Sequence, residues 1–344
     1  MFKIAVSIYN FLTEYANKNP SRWHTPGHSG FLERLDITEL VLDGELEKLI
    51  QNAQSMAAKA YGVEKLRFLT NGSSIGIKAC IAATGGDILC FSGCHQAIKE
   101  GAVLAKVNAF KFDTGLDNNG LPSVVTVEAV KKALKKHSQV KAVYIESPDY
   151  YGRIVSKEVV DAIRNAGKLA FVDAAHGAHF AFSKDLKKLC LAFYADAANL
   201  SAHKTLNAYT QTAYLAINNK FLFEPINTAL INLGTTSPNY LLLASLETAI
   251  ETAKKADYSR LKKDCLAFKE KIPCLKNEDF TRLVVDTKGL NITSEVLTKA
   301  LINNSTPIYA EKVTDRYIVF IATPQKTARD FKQLENLILS VRFA

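Results

Sequence analysis

Three short polar stretches interrupt an otherwise apolar central region: Asn71-Gly72-Ser73-Ser74, Asp173-Ala174-Ala175-His176-Gly177-Ala178-His179 and Ser201-Ala202-His203-Lys204-Thr205. Lys204 lies between one apolar run and the next, at Ala213-Tyr214-Leu215. A lysine removed from bulk water in this way can act as an amine nucleophile towards a carbonyl. Asp173 ends another apolar run, where a carboxylate can hold a ring nitrogen protonated. Gly72 with two hydroxyls at a helix start offers free amides to an anion. Each piece has an ordinary alternative: a surface lysine, a helix-capping aspartate, or Ser73 and Ser74 as N-caps. His176 and His179 invite a metal, but no third ligand accompanies them at a suitable spacing, so no metal is expected.

These residues need strands to carry them. Apolar runs predict seven: Leu66–Asn71, Asp87–Ser92, Ala109–Asp113, Val140–Ser147, Lys168–Asp173, Ala195–Ser201 and Thr212–Asn218. Helix-period stretches alternate with them at Ser74–Ala83, Gln96–Lys106, Thr126–His137 and Lys157–Ala166. Near-continuous apolar strands of this kind suit a mainly parallel sheet covered by helices on both faces. In such sheets ligands bind beyond the carboxyl ends of the strands, where the three polar stretches fall. After Pro238 one long helix is expected from about Tyr240 to Lys271. A small α+β unit should follow, with strands at Thr281–Asp286 and Tyr317–Ala322 and helices at Ser294–Ile302 and Thr327–Val341.

Composition agrees with a globular protein of enzyme size. The 344 residues are 48% hydrophobic and 22% charged, which excludes a disordered chain. No apolar run approaches the roughly 18 residues of a membrane span. The net charge of +9 comes from lysines scattered over helix faces, such as Lys131, Lys132, Lys135 and Lys136, with no nucleic-acid-binding signature beside them. Cysteines 80, 90, 94, 190, 265 and 274 form no Cys-x-x-Cys pair and are expected as free thiols in a reducing cytoplasm. Met1–Val6 is apolar, but Tyr9, Asn10, Thr13 and Glu14 break the run, so an amphipathic first helix is expected rather than a signal peptide.

Cradle, carboxylate and lysine, in that chain order, are what an aldehyde cofactor with a pyridine ring and a phosphate requires. That cofactor is pyridoxal 5'-phosphate (PLP). The sequence also resembles the bacterial ornithine/lysine/arginine decarboxylases of fold type I. Matching stretches are His24-Thr25-Pro26-Gly27-His28, Leu35-Asp36-Ile37-Thr38-Glu39-Leu40, Asn71-Gly72-Ser73-Ser74, Cys94-His95, Ser147-Pro148 and Tyr151-Gly152. They continue through Val172–Phe180, Ser201–Leu206, Thr210-Gln211 and Thr235-Thr236-Ser237-Pro238. The resemblance implies a PLP-dependent transferase-like α/β fold and a catalytic set of Lys204, His176 and Asp173. Lys204 would form the internal aldimine and Asp173 would pair with the pyridine nitrogen. His95 would stack on one ring face and Ala175 would pack the other. Ser73, Ser74, Ser201 and His203 would hold the phosphate. Thr236 and Ser237 would reach the neighbouring subunit's phosphate, which implies a homodimer with shared sites. His176 or Lys204 would donate a proton to the carbanion left by CO2.

The sequence departs from the family pattern at Ala174, where Glu is usual, at Gln96-Ala97, where Lys-Ser is usual, and at Asp149, where Thr is usual. Asp149 is a candidate for a basic substrate's distal amine, or an exposed turn residue. Family members continue through a further C-terminal domain whose proline-glycine-rich segment is absent here, so the resemblance leaves the substrate side of the site open. Arg316 and, less so, Arg282 are candidates for a substrate carboxylate, or ordinary structural residues. The expected organisation is an N-terminal arm (1–30), a large PLP-binding domain (31–255) and a small α+β domain (256–344). The expected function is decarboxylation of lysine, ornithine or arginine, with no nucleic-acid or membrane partner. Another PLP reaction (aminotransfer or a lyase), or a degenerate PLP-binding regulator of a longer relative, stand as alternatives.

Overall fold

The computed structural model describes residues 7–38, 40 and 44–342. They fall into two compact units. The first runs to Ser147 and adds Val155–Phe182 and Lys187–Lys254; the second holds Pro148–Ile154, Ser183–Leu186 and the chain from Lys255. Two short segments from within residues 31–255 therefore belong with the second unit.

The first unit opens with α1 (Ile8–Asn17) and α2 (Glu45–Tyr61). Ser7 caps α1 by accepting the Asn10 amide, and Ile8, Leu12 and Ala16 form its buried stripe. The expectation for residues 1–6 lies outside the described residues. The chain then alternates: β1 (Lys65–Leu69), α3 (Gly72–Thr84), β2 (Ile88–Phe91), α4 (Ala97–Ala105) and β3 (Ala109–Phe112). It continues through α5 (Val127–Lys136), β4 (Ala142–Glu146), α6 (Lys157–Asn165), β5 (Leu169–Asp173), β6 (Ala197–Leu200), the single turn α7 (Ala202–Thr205) and β7 (Ala213–Ile217). Helices α8 (Phe223–Leu233) and α9 (Tyr240–Lys255) follow.

The seven strands form one sheet in the order β1-β7-β6-β5-β4-β2-β3. Only β7 runs against the others, pairing antiparallel with both β1 and β6. The mainly parallel α/β sheet expected from the sequence is therefore present. Because six strands share a direction, the residues after β1, β2, β4, β5 and β6 emerge at one edge. The start of β7 meets them there. One face of the sheet is covered by α3, which packs against α4 and α8, and Ile77, Ile81, Ile98, Phe171, Leu215 and Ile226 belong to the core formed there. Burial of such side chains is worth about 1.5–3 kcal/mol each before chain entropy is subtracted.

The second unit contains α10 (Tyr258–Lys271), β8 (Arg282–Asp286), α11 (Ser294–Ile302), β9 (Lys312–Val313), β10 (Tyr317–Ile321) and α12 (Ala328–Arg342). Its three-stranded antiparallel sheet has the order β8-β10-β9. The small α+β unit is as expected, but the single helix over Tyr240–Lys271 is not. It breaks into α9 and α10, because the Asp257 carboxylate accepts the Arg260 amide at 2.9 Å and starts a new helix. Helices α2 and α8 also carry apolar stripes: Leu46, Ala53, Ala57 and Tyr61 are buried in α2, and Phe223, Ile226, Leu230 and Leu233 recur at helical spacing in α8, where Pro225 sits in the first turn. Among the described residues no helix is long and apolar enough to cross a membrane.

Candidate active site

The strand edge gathers the polar stretches. Asp173 ends β5 and is 5% exposed. The parallel register sets it opposite Asn199 of β6, whose carbonyl accepts the Ala174 amide at 2.8 Å. The chain then turns tightly, with Gly177 N–H donating to the Ala174 carbonyl, and the Asp173 carboxylate accepts the Ala175 amide at 3.1 Å. Burial pushes the Asp173 carboxyl above its ordinary value, while the Ala175 amide and the positive fields of Lys204 and His95 oppose the rise.

Beyond β6, Ser201 leads into α7 and sets Lys204 half-buried at the same edge. Lys204 Nζ lies 3.2 Å from Nε2 of the buried His176. The direction of this hydrogen bond follows the protonation state of the pair: either the amine or the imidazole nitrogen can donate. His203 makes a separate contact. Its Nδ1 donates to the Thr212 carbonyl at 2.9 Å, tying α7 to the start of β7.

The third stretch arrives from β1. Gly72 adopts φ +74°, and its amide donates to the Gln211 carbonyl at 2.7 Å. This fastens the start of α3 to the segment before β7. Ser73 and Ser74 lie in the first turn of α3, where backbone amides have no helical partner. Neither is the N-cap, which is Asn71. The Ser201 hydroxyl donates to the Ser73 hydroxyl at 3.0 Å, joining two of the expected phosphate ligands. His95 is exposed after β2, and its Nδ1 accepts the Ala97 amide at 3.1 Å at the start of α4. Ala175 is buried next to Asp173. Thr236 and Ser237 are exposed between α8 and α9, with the Ser237 amide donating to the Thr235 hydroxyl, so they are not among the buried groups around Lys204.

A layer missed in the sequence supports this edge. Asn199 is fully buried and its Nδ2 donates to the Tyr144 hydroxyl at 3.0 Å. Tyr144 and Asn199 also hydrogen-bond the Cys80 thiol, which burial pushes up to about 12. A Cβ on Gly76 would fall 2.1 Å from Asn199 Oδ1, so glycine is what lets α3 lie directly on β6. The available signal was a lone amide, Asn199, in a strand of alanine and leucine.

Other candidates resolve differently. Asp149 is neither an exposed turn residue nor a free acid. It accepts the Tyr151 and Arg153 amides at 2.9 Å and the Arg153 guanidinium, closing the 149–153 turn. Arg316 is bound by the Asp286 carboxylate through Nε at 3.0 Å and a terminal nitrogen at 2.7 Å. Arg282 is wholly buried, with Asp279 the leading charge that favours its cation. His179 is buried edge-on against Phe180. Among the described residues no three His, Cys, Asp or Glu side chains are grouped to hold a metal.

Comparison with known proteins identifies the fold and the family. The arginine decarboxylase of Bacillus subtilis (strain 168) is 28% identical over 97% of this chain and 76% of its own length. The YaaO protein of the same organism is 29% identical over 70% of this chain and 55% of its own length. The crystal structure of the Francisella novicida lysine decarboxylase LdcF superposes with a TM-score of 0.81 at 16% identity, covering 98% of this chain and 60% of that one. The chain thus spans little more than half the length of YaaO and LdcF. The shared architecture is the fold-type I PLP fold. The major domain of the Orn/Lys/Arg decarboxylases matches residues 34–336, and the chain belongs to that family.

Proposed function

We propose that this protein decarboxylates a basic amino acid (lysine, ornithine or arginine) using PLP held on Lys204. The observation that carries the reading is the meeting, at one sheet edge, of enclosed Asp173, Lys204 beside His176, and the Ser73–Ser201 hydroxyl pair. This donor set suits the cofactor. A buried carboxylate whose burial disfavours its charge is stabilised by a protonated pyridine nitrogen. Hydroxyls from Ser73 and Ser201 beside free helix amides suit a phosphate, with Ser74 and His203 completing the cradle. His95 and the small Ala175 are assigned to the two ring faces.

When bound, PLP supplies an electron sink for the pair released from the Cα–carboxylate bond. Asp173 holds the proton on the ring nitrogen. Lys204 would hold the cofactor's aldehyde through its amine, with His176 beside it at 3.2 Å. His176 Nε2 accepts a proton from Lys204 Nζ or returns one, so either group can protonate the substrate Cα after CO2 departs. Thr236 and Ser237 are assigned to the phosphate of a second copy, in a homodimer with shared sites. The six free cysteines support a reducing, cytoplasmic setting.

The test starts with purified protein and PLP. A visible absorption band should form, borohydride should bleach it and leave the label on Lys204, and Lys204→Ala should abolish both. Trapped CO2 and amine product are then measured across lysine, ornithine, arginine and a panel of other amino acids. CO2 with the matching amine supports the proposal. Keto-acid formation without CO2, or a stable band with no turnover of any amino acid, overturns it.

A further inference from the structure

The second unit carries an amine that the proposed function does not use. Helix α10 places Lys262, Leu266 and Lys269 four and three residues apart, on one face, where they line a cavity of about 610 Å³. The segment after α10 and the pair Asp185-Leu186 supply the rest of the lining, and all of it lies in the second unit. Leu186, Leu275 and Phe280 are buried there while Leu266 is 44% exposed, so apolar surface continues from the interior to a rim that solvent reaches. Lys269 is half-buried, and its Nζ donates to Asn277 Oδ1 at 2.8 Å. The Asn277 amide is fixed in this orientation, because its Nδ2 donates to the Tyr151 carbonyl at 2.7 Å and the Arg282 carbonyl at 3.1 Å. Among the described residues Asn277 is the one hydrogen-bond partner of Lys269, and it is uncharged.

The surrounding charges are engaged elsewhere or balanced. Asp185 pairs with Lys262 at 2.6 Å. Buried Asp279 accepts the Thr281 amide and hydroxyl, and its charge is shared between Lys269 and Arg282. Burial pushes the Cys265 and Cys274 thiols up to about 12, so both stay protonated and neither supplies an anion. Lys276 and Glu278 are exposed and opposite in sign. Burial outweighs the attraction of Asp279 and holds the Lys269 amine below its ordinary value.

We propose that Lys269 is a second carbonyl-reactive amine, which takes an uncharged aldehyde with an apolar body as a reversible imine. Asn277 Oδ1 accepts one N–H and leaves the lone pair of the neutral amine free. The lone pair attacks the carbonyl carbon, the C=O pair moves to oxygen, and a proton passes from nitrogen to that oxygen. The carbinolamine then loses hydroxide, nitrogen sheds its remaining proton, and the two leave as water. Amine and aldehyde give imine and water with no change of oxidation state, and hydrolysis reverses the step. The apolar body lies against Leu186, Leu266 and Phe280. An anion gains nothing from the rim, where Lys262 and Lys276 are matched by Asp185 and Glu278.

The test incubates the purified full chain with hexanal and cyanoborohydride, digests it with trypsin and maps the lysines that carry a hexyl group. Labelling of Lys269 blocks cleavage there, so the peptide Asp264–Lys271 should appear intact and modified. Lys269 should be labelled before exposed Lys132, and its labelling should reach half its maximum at a lower pH. Asn277→Asp sets a carboxylate against the amine and should slow the labelling, with a melting curve to show that the variant folds. Leu266→Gln changes an exposed position, and should slow labelling by hexanal while leaving that by glycolaldehyde, which has no apolar body, unchanged. Lys269 labelled no faster than Lys132 overturns the reactive amine. Glycolaldehyde or glyoxylate labelling Lys269 as fast as hexanal overturns the apolar ligand. A hexyl group on Lys204 alone overturns the inference and leaves the proposed function standing.

Discussion

Lys204 Nζ and His176 Nε2 are 3.2 Å apart, joining the turn after β5 to the turn after β6. The contact puts an imidazole beside an amine where His176 is only 4% exposed. A proton can therefore pass between them without going through bulk water.

His176→Gln keeps a hydrogen-bonding side chain of similar reach but cannot take up a proton. Its kcat for CO2 release should fall by about 10²–10⁴-fold, the usual range for a positioned acid–base group. Bound PLP per subunit should stay at the wild-type level. Loss of the cofactor in step with activity would make His176 a binding residue instead.

Asp173 should couple cofactor chemistry to apoprotein stability. Its folded-state pKa is raised above the ordinary 3.8, so in the window above that value the folded chain holds a proton that the unfolded chain releases. Stability of the cofactor-free protein therefore declines as pH rises through the window. Asp173→Asn removes that dependence. Its melting temperature without PLP should exceed the wild type's at neutral pH and converge with it below the ordinary carboxyl range, while its PLP affinity drops. Melting curves from pH 3 to 8 check both directions.

Gly76→Ala should report how closely α3 lies on the sheet. The new Cβ would meet Asn199 Oδ1 at 2.1 Å and a Leu69 methyl at 2.8 Å, neither with room to withdraw. Destabilisation of about 1–3 kcal/mol is expected, measured by urea unfolding. A neutral substitution would mean that α3 slides on β6.

Arg316→Gln should separate a structural ion pair from a substrate ligand. Arg316 holds the Asp286 carboxyl below its ordinary 3.8, so the pair contributes stability above that pH and loses it as pH falls through the depressed value. Arg316 is about one-third exposed, which limits the effect to about 1 kcal/mol or less. The variant should soften the acid limb of the pH–stability curve and leave KM unchanged. A large rise in KM would restore Arg316 as a carboxylate ligand.

Much of the site was legible because its chemistry falls where apolar runs stop. Asp173, Ser201 and the Asn71–Ser74 stretch each end a strand-like segment, and strands of one direction deliver their carboxyl ends to one edge. The central strands β2, β4, β5, β6 and β7 were visible because residues buried on both faces leave continuous apolar runs, whereas charged residues interrupt β1 and β3. The break at Asp257 escaped notice because one carboxylate, capping locally, overrides an otherwise continuous periodicity.

Residue order and type, taken alone, determined the α/β class, the family and where along the chain the candidate site residues fall. Only the tertiary structure decided which of them touch. The reversed β7 brings Thr212 to His203 and Gln211 to Gly72, and the β5–β6 register sets Asp173 against Asn199. The fold likewise turned Asp149 onto Arg153 and Arg316 onto Asp286. The physical reason is that strand polarity follows from local patterning, whereas strand pairing and side-chain partnership depend on contacts between residues far apart in the chain or on turns that patterning does not encode.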